Sequence, residues 1–248
     1  MSLPNVNIVL GNGNIGTVTL SDDGISGLIL TGAAVEEKLT LNKVYVLSSS
    51  NDLSKYGITK ENNPLVYKDV AAFYKAAGDG AELHLLVVSE ASTLTQICSS
   101  EPGSPLQKLI DSAAGRIRLV GVNRNAPASY TPTVENCIDK DVITAVDEAQ
   151  AVAKSYMGKI APFVILLPAI GWSGETEGLY QPREGSYNCA SVVLASDGKY
   201  GESKLYSAAI GQVLGRAATC AVNISIGRVK DGSIAATGYL TDGKKPQE

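Results

Sequence analysis

Short apolar runs alternate with longer amphipathic segments along most of this chain. Val66, Val70 and Phe73 recur at spacings of four and three, which predicts an amphipathic helix over residues 66–77. Residues 82–88 are apolar at nearly every position, which is typical of a strand buried on both faces. Strands separated by helices predict a mostly parallel sheet with helices on both sides.

The other predicted elements continue this alternation. Further strands are predicted over residues 6–10, 17–20, 25–30, 39–47, 116–122, 162–167, 189–195 and 221–229. Further helices are predicted from residue 51 or 52 to 57, and over residues 105–114, 139–156 and 202–219. We therefore predict an α/β fold with a mixed, mostly parallel sheet covered by helices and a strand-rich N-terminal segment. We expect residues 1–248 to form a single unit. Within it, the pattern allows two subdomains, 1–122 and 138–248, which are linked by the loop 123–137.

Charge and hydropathy narrow the class of protein. The chain has 248 residues, with 21 Lys and Arg against 25 Asp and Glu, so its net charge is −4. A weakly acidic chain lacks the basic surface with which proteins bind nucleic acid. No stretch approaches the roughly 18 apolar residues of a membrane span, and no basic run followed by an apolar core opens the chain. We expect no nucleic-acid partner, no membrane insertion, and a protein made and kept in a cytoplasm.

Cysteine and histidine usage indicates no metal or redox centre. The four cysteines are far apart and none has CxxC spacing, so we interpret them as reduced packing residues: Cys98, Cys137, Cys189 and Cys220. His84, the single histidine, falls inside an apolar strand and is interpreted as structural. These residues do not supply a typical zinc ligand set within one chain. We predict no metal and no cofactor.

Residues 11–16 match the glycine spacing GxGxxG, and Glu36 follows twenty residues after Gly16. A dinucleotide fingerprint requires a helix to begin there, so that its N-terminal amides meet the pyrophosphate. The residues that follow, 17–24, read instead as a strand and a turn. The pattern favours a glycine-rich hairpin or loop, and a nucleotide-binding, Rossmann-like enzyme is kept as an alternative.

Two other motifs suggest chemistry only superficially. Residues 171–175 resemble a nucleophile elbow but lack the glycine two residues after the serine. Asp139 and Asp141 form a DxD pattern where a helix is predicted to begin, and acidic residues there commonly cap the helix and complement its dipole. The sequence therefore predicts no catalytic residue.

Small and aromatic residues leave two questions of packing open. Gly211 and Gly215 lie in the predicted helix 202–219, where small side chains let a helix approach its neighbour closely. That neighbour is either the chain's own sheet or another subunit. Trp172, in a polar loop, either packs partly into the core or is exposed and contacts a partner. The second alternative is kept because aromatic residues are enriched at interfaces.

The order of the predicted strands and helices over residues 24–88 resembles that of a known protein family. A strand ending in Thr31-Gly32 is followed by Val46-Leu-Ser, then by Asp52-Leu and Tyr56-Gly57, and then by Phe73-Tyr with Gly78-Asp-Gly80 before the next strand. Looser matches cover residues 139–168 and 208–229. In this order and spacing the chain resembles contractile tail sheath proteins of bacteriophages, and most closely the divergent sheath-like proteins of prophages in Bacteroides-type bacteria.

The resemblance implies a structural subunit and not an enzyme. Sheath subunits stack in rings around a tail tube and contract, and their terminal arms add strands to the sheets of neighbouring subunits. The implied partners are further copies of the chain and a tail tube protein, and the implied location is the bacterial cytoplasm during assembly and then the virion tail. The candidate donor strand carries Val6, Ile8 and Leu10 at alternate positions, which would fill pockets on a neighbour. A non-polymerising adaptor at a tail end or baseplate is the other alternative.

Overall fold

The computed structural model describes residues 25–185, 187–220 and 238–245. A six-stranded sheet forms the centre, with strand order β2-β3-β1-β4-β7-β8. Its strands are β1 (Ser26–Gly32), β2 (Val44–Leu47), β3 (Leu83–Ser89), β4 (Leu119–Asn123), β7 (Val164–Pro168) and β8 (Ala190–Val193). The edge strand β2 runs antiparallel to β3, and all other neighbours are parallel. The predicted mixed, mostly parallel sheet is confirmed.

Helices cover both faces of this sheet. They are α1 (Asp52–Lys55), α2 (Pro64–Ala77), α3 (Leu94–Cys98), α4 (Pro105–Ser112), α5 (Lys140–Tyr156) and α6 (Ile210–Ala218), with a 3-10 helix at Pro182–Gly185. One apolar core lies between the sheet and α2 and α6, and the other lies between the sheet and α3, α4 and α5. Every residue of the central strand β1 is buried, because both of its faces are covered.

Two smaller sheets flank the main one. Strands β9 (Ala195–Gly198), β10 (Ser207–Ala208) and β11 (Tyr239–Leu240) form an antiparallel sheet in the order β10-β9-β11, which we call the small sheet. The third sheet pairs β5 (Val134–Glu135) with β6 (Ile138–Asp139). In the main sheet β4 pairs directly with β7, so strands on both sides of the loop 123–137 belong to one layer. The division into two subdomains stays a prediction.

The structure differs from these predictions in several elements. The helix predicted over 202–219 begins only at Ile210, because the residues before it form β10 and pair with β9. The strand predicted over 39–47 is limited to β2, since Leu39 instead turns back to pair with Val35. Helix α3 was not predicted, although its capping box, Thr93 with Gln96, can be read in the sequence.

Several predicted features lie outside the described residues. They are the strands at 6–10, 17–20 and 221–229, the glycine pattern at 11–16, and the candidate donor-strand residues Val6, Ile8 and Leu10.

Candidate functional site

The strand order places a topological switch point beside β1. From β1 the chain passes to β2 and β3, which lie on one side of β1. It then crosses to β4, which lies on the other side. In open α/β sheets of this kind, ligands bind in the crevice at the carboxyl ends of the two diverging strands. Here those ends are Gly32 and Asn123. An enzyme with this topology would hold its ligand at this position.

Asn63 packs against the end of β1. Its side chain is buried, its Oδ1 accepts a hydrogen bond from Ala33 N at 2.8 Å, and its Nδ2 donates to Ala33 O at 3.1 Å. A Cβ on Gly32 would lie 2.4 Å from Asn63 Oδ1, so a glycine is required for this close approach. On the β4 side, the Thr31 hydroxyl accepts a hydrogen bond from Asn125 N at 2.8 Å.

Asn123 lies at the end of β4. Its Nδ2 donates to Asp69 Oδ2 at 2.8 Å and to the Ala208 carbonyl oxygen at 2.9 Å. Asp69, on α2, also accepts a hydrogen bond from Gly211 N at 3.1 Å, at the first turn of α6. One buried carboxylate thereby joins α2, β4 and α6.

Lys68 completes the cluster. Its Nζ lies 2.9 Å from Asp69 Oδ1, 3.0 Å from Asp197 Oδ1, 3.2 Å from Ser207 Oγ and 3.1 Å from Ala208 O. Only 9% of the Lys68 side chain is exposed. We call Lys68, Asp69, Asn123, Asp197 and Ser207 the Lys68 network.

The network is satisfied by the chain's own groups. The Lys68 ammonium also lies over the Tyr200 ring, 4.9 Å from its centroid. Burial raises the pKa of Tyr200 to about 12 and the pKa of Asp197 to about 6. The lysine is paired with two carboxylates, and the polar side chains that the structure describes at the carboxyl end of β4 bond to one another.

A second polar cluster lies on the opposite face of the sheet. Asp141, near the start of α5, accepts hydrogen bonds from Leu94 N at 2.8 Å and Thr95 N at 3.0 Å, and lies 3.3 Å from the Arg124 guanidinium. It therefore caps the neighbouring helix α3. Asp139 caps α5 itself, by accepting from Asp141 N, so the capping interpretation of the DxD pattern is confirmed.

The other residues that the sequence analysis singled out, which are His84, the cysteines and Trp172, are described next. His84 is buried, with Nε2 2.8 Å from Glu82 Oε1. The His84 hydrogen bond, followed by Arg116, lowers the pKa of Glu82. All four cysteines are free thiols. Trp172 is partly buried against the core, and its Nε1–H donates a hydrogen bond to Glu175 O. Both observations favour the interpretation that Trp172 packs partly into the core.

Neither a metal cluster nor a membrane span is found where the structure is described. Within the residues that can be placed, no three His, Cys, Asp or Glu side chains are grouped to hold a metal ion. Among the helices given above, none has the length and apolar character to cross a bilayer.

Gly211 and Gly215 lie against α2 of the same chain. A Cβ on Gly211 would lie 2.0 Å from the Asp69 carbonyl oxygen, and a Cβ on Gly215 would lie 2.5 Å from the Phe73 carbonyl oxygen. The two helices therefore meet backbone to backbone along this face.

The sequence analysis missed the Lys68 network. One signal was present: Asp69 follows Val66 by three residues and precedes Phe73 by four, so it lies on the apolar stripe of α2. A carboxylate on a buried stripe needs partners. Its partners come from β4 and from the segment that leads into α6, far away in sequence, so the sequence did not identify them.

Comparison with known proteins gives a family. The family model that matches is the N-terminal domain of DUF2586, over residues 3–247. The chain belongs to the DUF2586 family. No curated protein matches it.

Two solved structures are similar to this DUF2586 chain at low identity. The helical sheath of the anti-feeding prophage in its contracted state is 12% identical, with a TM-score of 0.46 over 88% of this chain and 52% of that one. The sheath complex of PVC, an extracellular contractile injection system, also contracted, is 14% identical, with a TM-score of 0.41 over 88% of this chain and 50% of that one. The chain thus spans about half the length of these sheath chains.

Proposed function

We propose that this protein is a structural subunit of a contractile phage tail sheath, which assembles with further copies of itself around a tail tube and has no active site. The order of parts over residues 24–88 supports the proposal, because the described strands and helices follow that order from β1 to β3. The narrower hypothesis of a Bacteroides-type prophage origin, with assembly in the bacterial cytoplasm and a final place in the virion tail, rests on the resemblance alone.

The observation that carries the proposal is the internal bonding of the polar side chains at the switch point. An enzyme with this strand order would keep the crevice between β1 and β4 open for a ligand. Here Asn63 is bonded to the end of β1 and the Lys68 network is bonded to the end of β4, so the described polar side chains at these two ends have partners within the chain. We expect a protein with a switch point bonded in this way to act through its surfaces.

The sheet edges are the surfaces that suit assembly. Within the described residues, β2 and β8 are the two edge strands of the main sheet. An edge strand presents unpaired backbone groups that can accept a strand from another chain. On β2, 55% of the Val46 side chain is exposed. We infer that the strand carrying Val6, Ile8 and Leu10 adds to such an edge on a neighbouring copy.

Replacing Val6, Ile8 and Leu10 together by serine is expected to abolish assembly of the full-length gene product. The serines remove the apolar side chains that would fill pockets on the neighbour. Negative-stain electron microscopy over a range of concentrations should show tubes or stacked rings for the wild type and isolated particles for the variant.

A matched control replaces Asn7 and Val9 by serine, because these residues alternate with the donor residues in the sequence and a strand would place them on its other face. This variant should assemble as the wild type does. If the wild type stays monomeric at every concentration, the sheath proposal fails and the tail-end or baseplate adaptor becomes the better hypothesis.

The strand order also favours a second candidate, a nucleotide-binding, Rossmann-like enzyme. Thermal shift measurements with NAD, ATP and S-adenosylmethionine distinguish the two. Because the described polar side chains at the switch point already have partners within the chain, we expect no ligand to raise the unfolding midpoint. Clear stabilisation by any of the three would favour the enzyme.

A further inference from the structure

We propose that the Lys68 network, which joins α2 to the small sheet, is a proton-dependent element in which Asp197 takes up a proton and the fold becomes more stable. Lys68 lies on α2 and Asp197 on β9, so their contact joins the helical layer to that sheet. The inference does not depend on the sheath assignment.

The charges of the cluster do not balance. Two carboxylates, Asp69 and Asp197, share the single ammonium of Lys68 at 2.9 and 3.0 Å. With all three groups ionised, the cluster carries one surplus negative charge in a largely water-excluded place. Such a charge is costly, and it is relieved when one carboxylate takes up a proton.

The hydrogen-bond count shows that the Lys68 ammonium stays satisfied when Asp197 is protonated. An ammonium has three protons to donate. Lys68 Nζ has four acceptors within 3.2 Å, which are Asp69, Asp197, Ser207 Oγ and Ala208 O. When Asp197 is protonated, the other three acceptors match the three protons, so every proton of the ammonium keeps an acceptor.

Asp197 is the carboxylate with room for the proton. Asp69 has no exposed surface, and both of its oxygens already accept hydrogen bonds, from Lys68, Asn123 Nδ2 and Gly211 N. The Asp197 side chain is 20% exposed, so solvent can reach it.

The titratable and charged groups that face Asp197 are Lys68 and Asp69 from α2 and Tyr200 from the loop after β9. Burial is the largest cause that raises its pKa to about 6; Lys68 acts against this rise and Asp69 adds to it. The other neighbours, Asn123 on β4 and Ser207 on β10, are uncharged.

The linkage between proton binding and folding determines whether acid stabilises or destabilises the protein. The folded protein binds this proton more tightly than the unfolded chain, so ionised Asp197 destabilises the fold at neutral pH. That destabilisation disappears as the pH falls from about 6, the pKa of Asp197 in the folded protein, towards about 4, the ordinary pKa of an aspartate.

The test compares the wild type with Asp197→Asn, which keeps the shape and the acceptor oxygen but cannot ionise. At pH 7.5 we expect the variant to raise the midpoint of thermal unfolding by about 5 °C. At pH 4 the difference should shrink to about 1 °C, because the wild-type carboxyl is then neutral too. A carboxyl-carbon NMR titration should give Asp197 a midpoint near 6.

The matched control is Asp52→Asn, which should act with the opposite sign. The Ser48 N–H donates to the Asp52 carboxylate at 2.8 Å and lowers its pKa, so ionised Asp52 stabilises the fold. This variant should therefore lower the unfolding midpoint at pH 7.5. The proposal is overturned if Asp197→Asn also lowers the midpoint at pH 7.5, if its effect is the same at both pH values, or if Asp197 titrates near 4.

Discussion

Gly211→Ala is expected to lower the free energy of unfolding by about 3 kcal/mol. The added methyl carbon would lie 2.0 Å from the Asp69 carbonyl oxygen, which belongs to the backbone of α2 and cannot move without the whole helix. Helix propensity acts in the opposite direction, since alanine is favoured over glycine in a helix by about 1 kcal/mol. Urea unfolding would decide the sign, and a loss shows that the close approach of α2 and α6 dominates.

Gly238→Ala is the control for this substitution. Among the described residues, no atom lies within 4 Å of the Cβ it would add. Its effect should therefore stay within about 0.5 kcal/mol. If Gly211→Ala is as stable as the wild type, the backbone contact between the two helices is looser than the structure describes.

Lys68→Met is expected to lower the free energy of unfolding by about 3–5 kcal/mol at pH 7.5. Methionine fills a similar volume, but the substitution leaves Asp69 and Asp197 facing each other without their shared cation. Removing one partner of a buried ionic cluster is much more costly than replacing the whole cluster. The loss should be smaller at pH 5, where Asp197 is largely neutral, and urea unfolding at both pH values measures it.

Lys140→Met is the matched comparison. Its Nζ lies 3.3 Å from Glu135 Oε2, but 63% of the lysine side chain and 52% of the glutamate side chain are exposed. Exposed ion pairs contribute about 0–1 kcal/mol, so this variant should be nearly as stable as the wild type. Equal losses for Lys68→Met and Lys140→Met would contradict the assignment of a buried, charge-dependent network.

The elements with a clear hydrophobic period were predictable from the sequence. Helix α2 follows from the spacing of Val66, Val70 and Phe73, and β3 follows from its continuous apolar run, because both faces of a parallel strand are covered. The start of α5 follows from Asp139, whose side chain accepts from the next turn. Local pattern decides these elements because the side chains that specify them are close together in sequence.

The segment before α6 shows where local pattern fails. Ser207, Ala208 and Ala209 are small residues that a helix accepts as readily as a strand. Pairing of β10 with β9, and the hydrogen bond from Ala209 N to Ala195 O, select the extended form. Such pairing is a tertiary interaction, and the sequence of the segment does not encode it.

The sequence by itself determined the α/β alternation, the parallel character of the sheet, and the small residues that allow a helix to pack closely. The tertiary structure alone decided that Gly211 and Gly215 face α2, and that the described polar side chains at the switch point have partners within the chain. Lys68 and Asp197 are 129 residues apart, and Asn123 and Asp69 are 54 apart. Only the fold brings these groups within 3 Å, and burial then makes their charges matter.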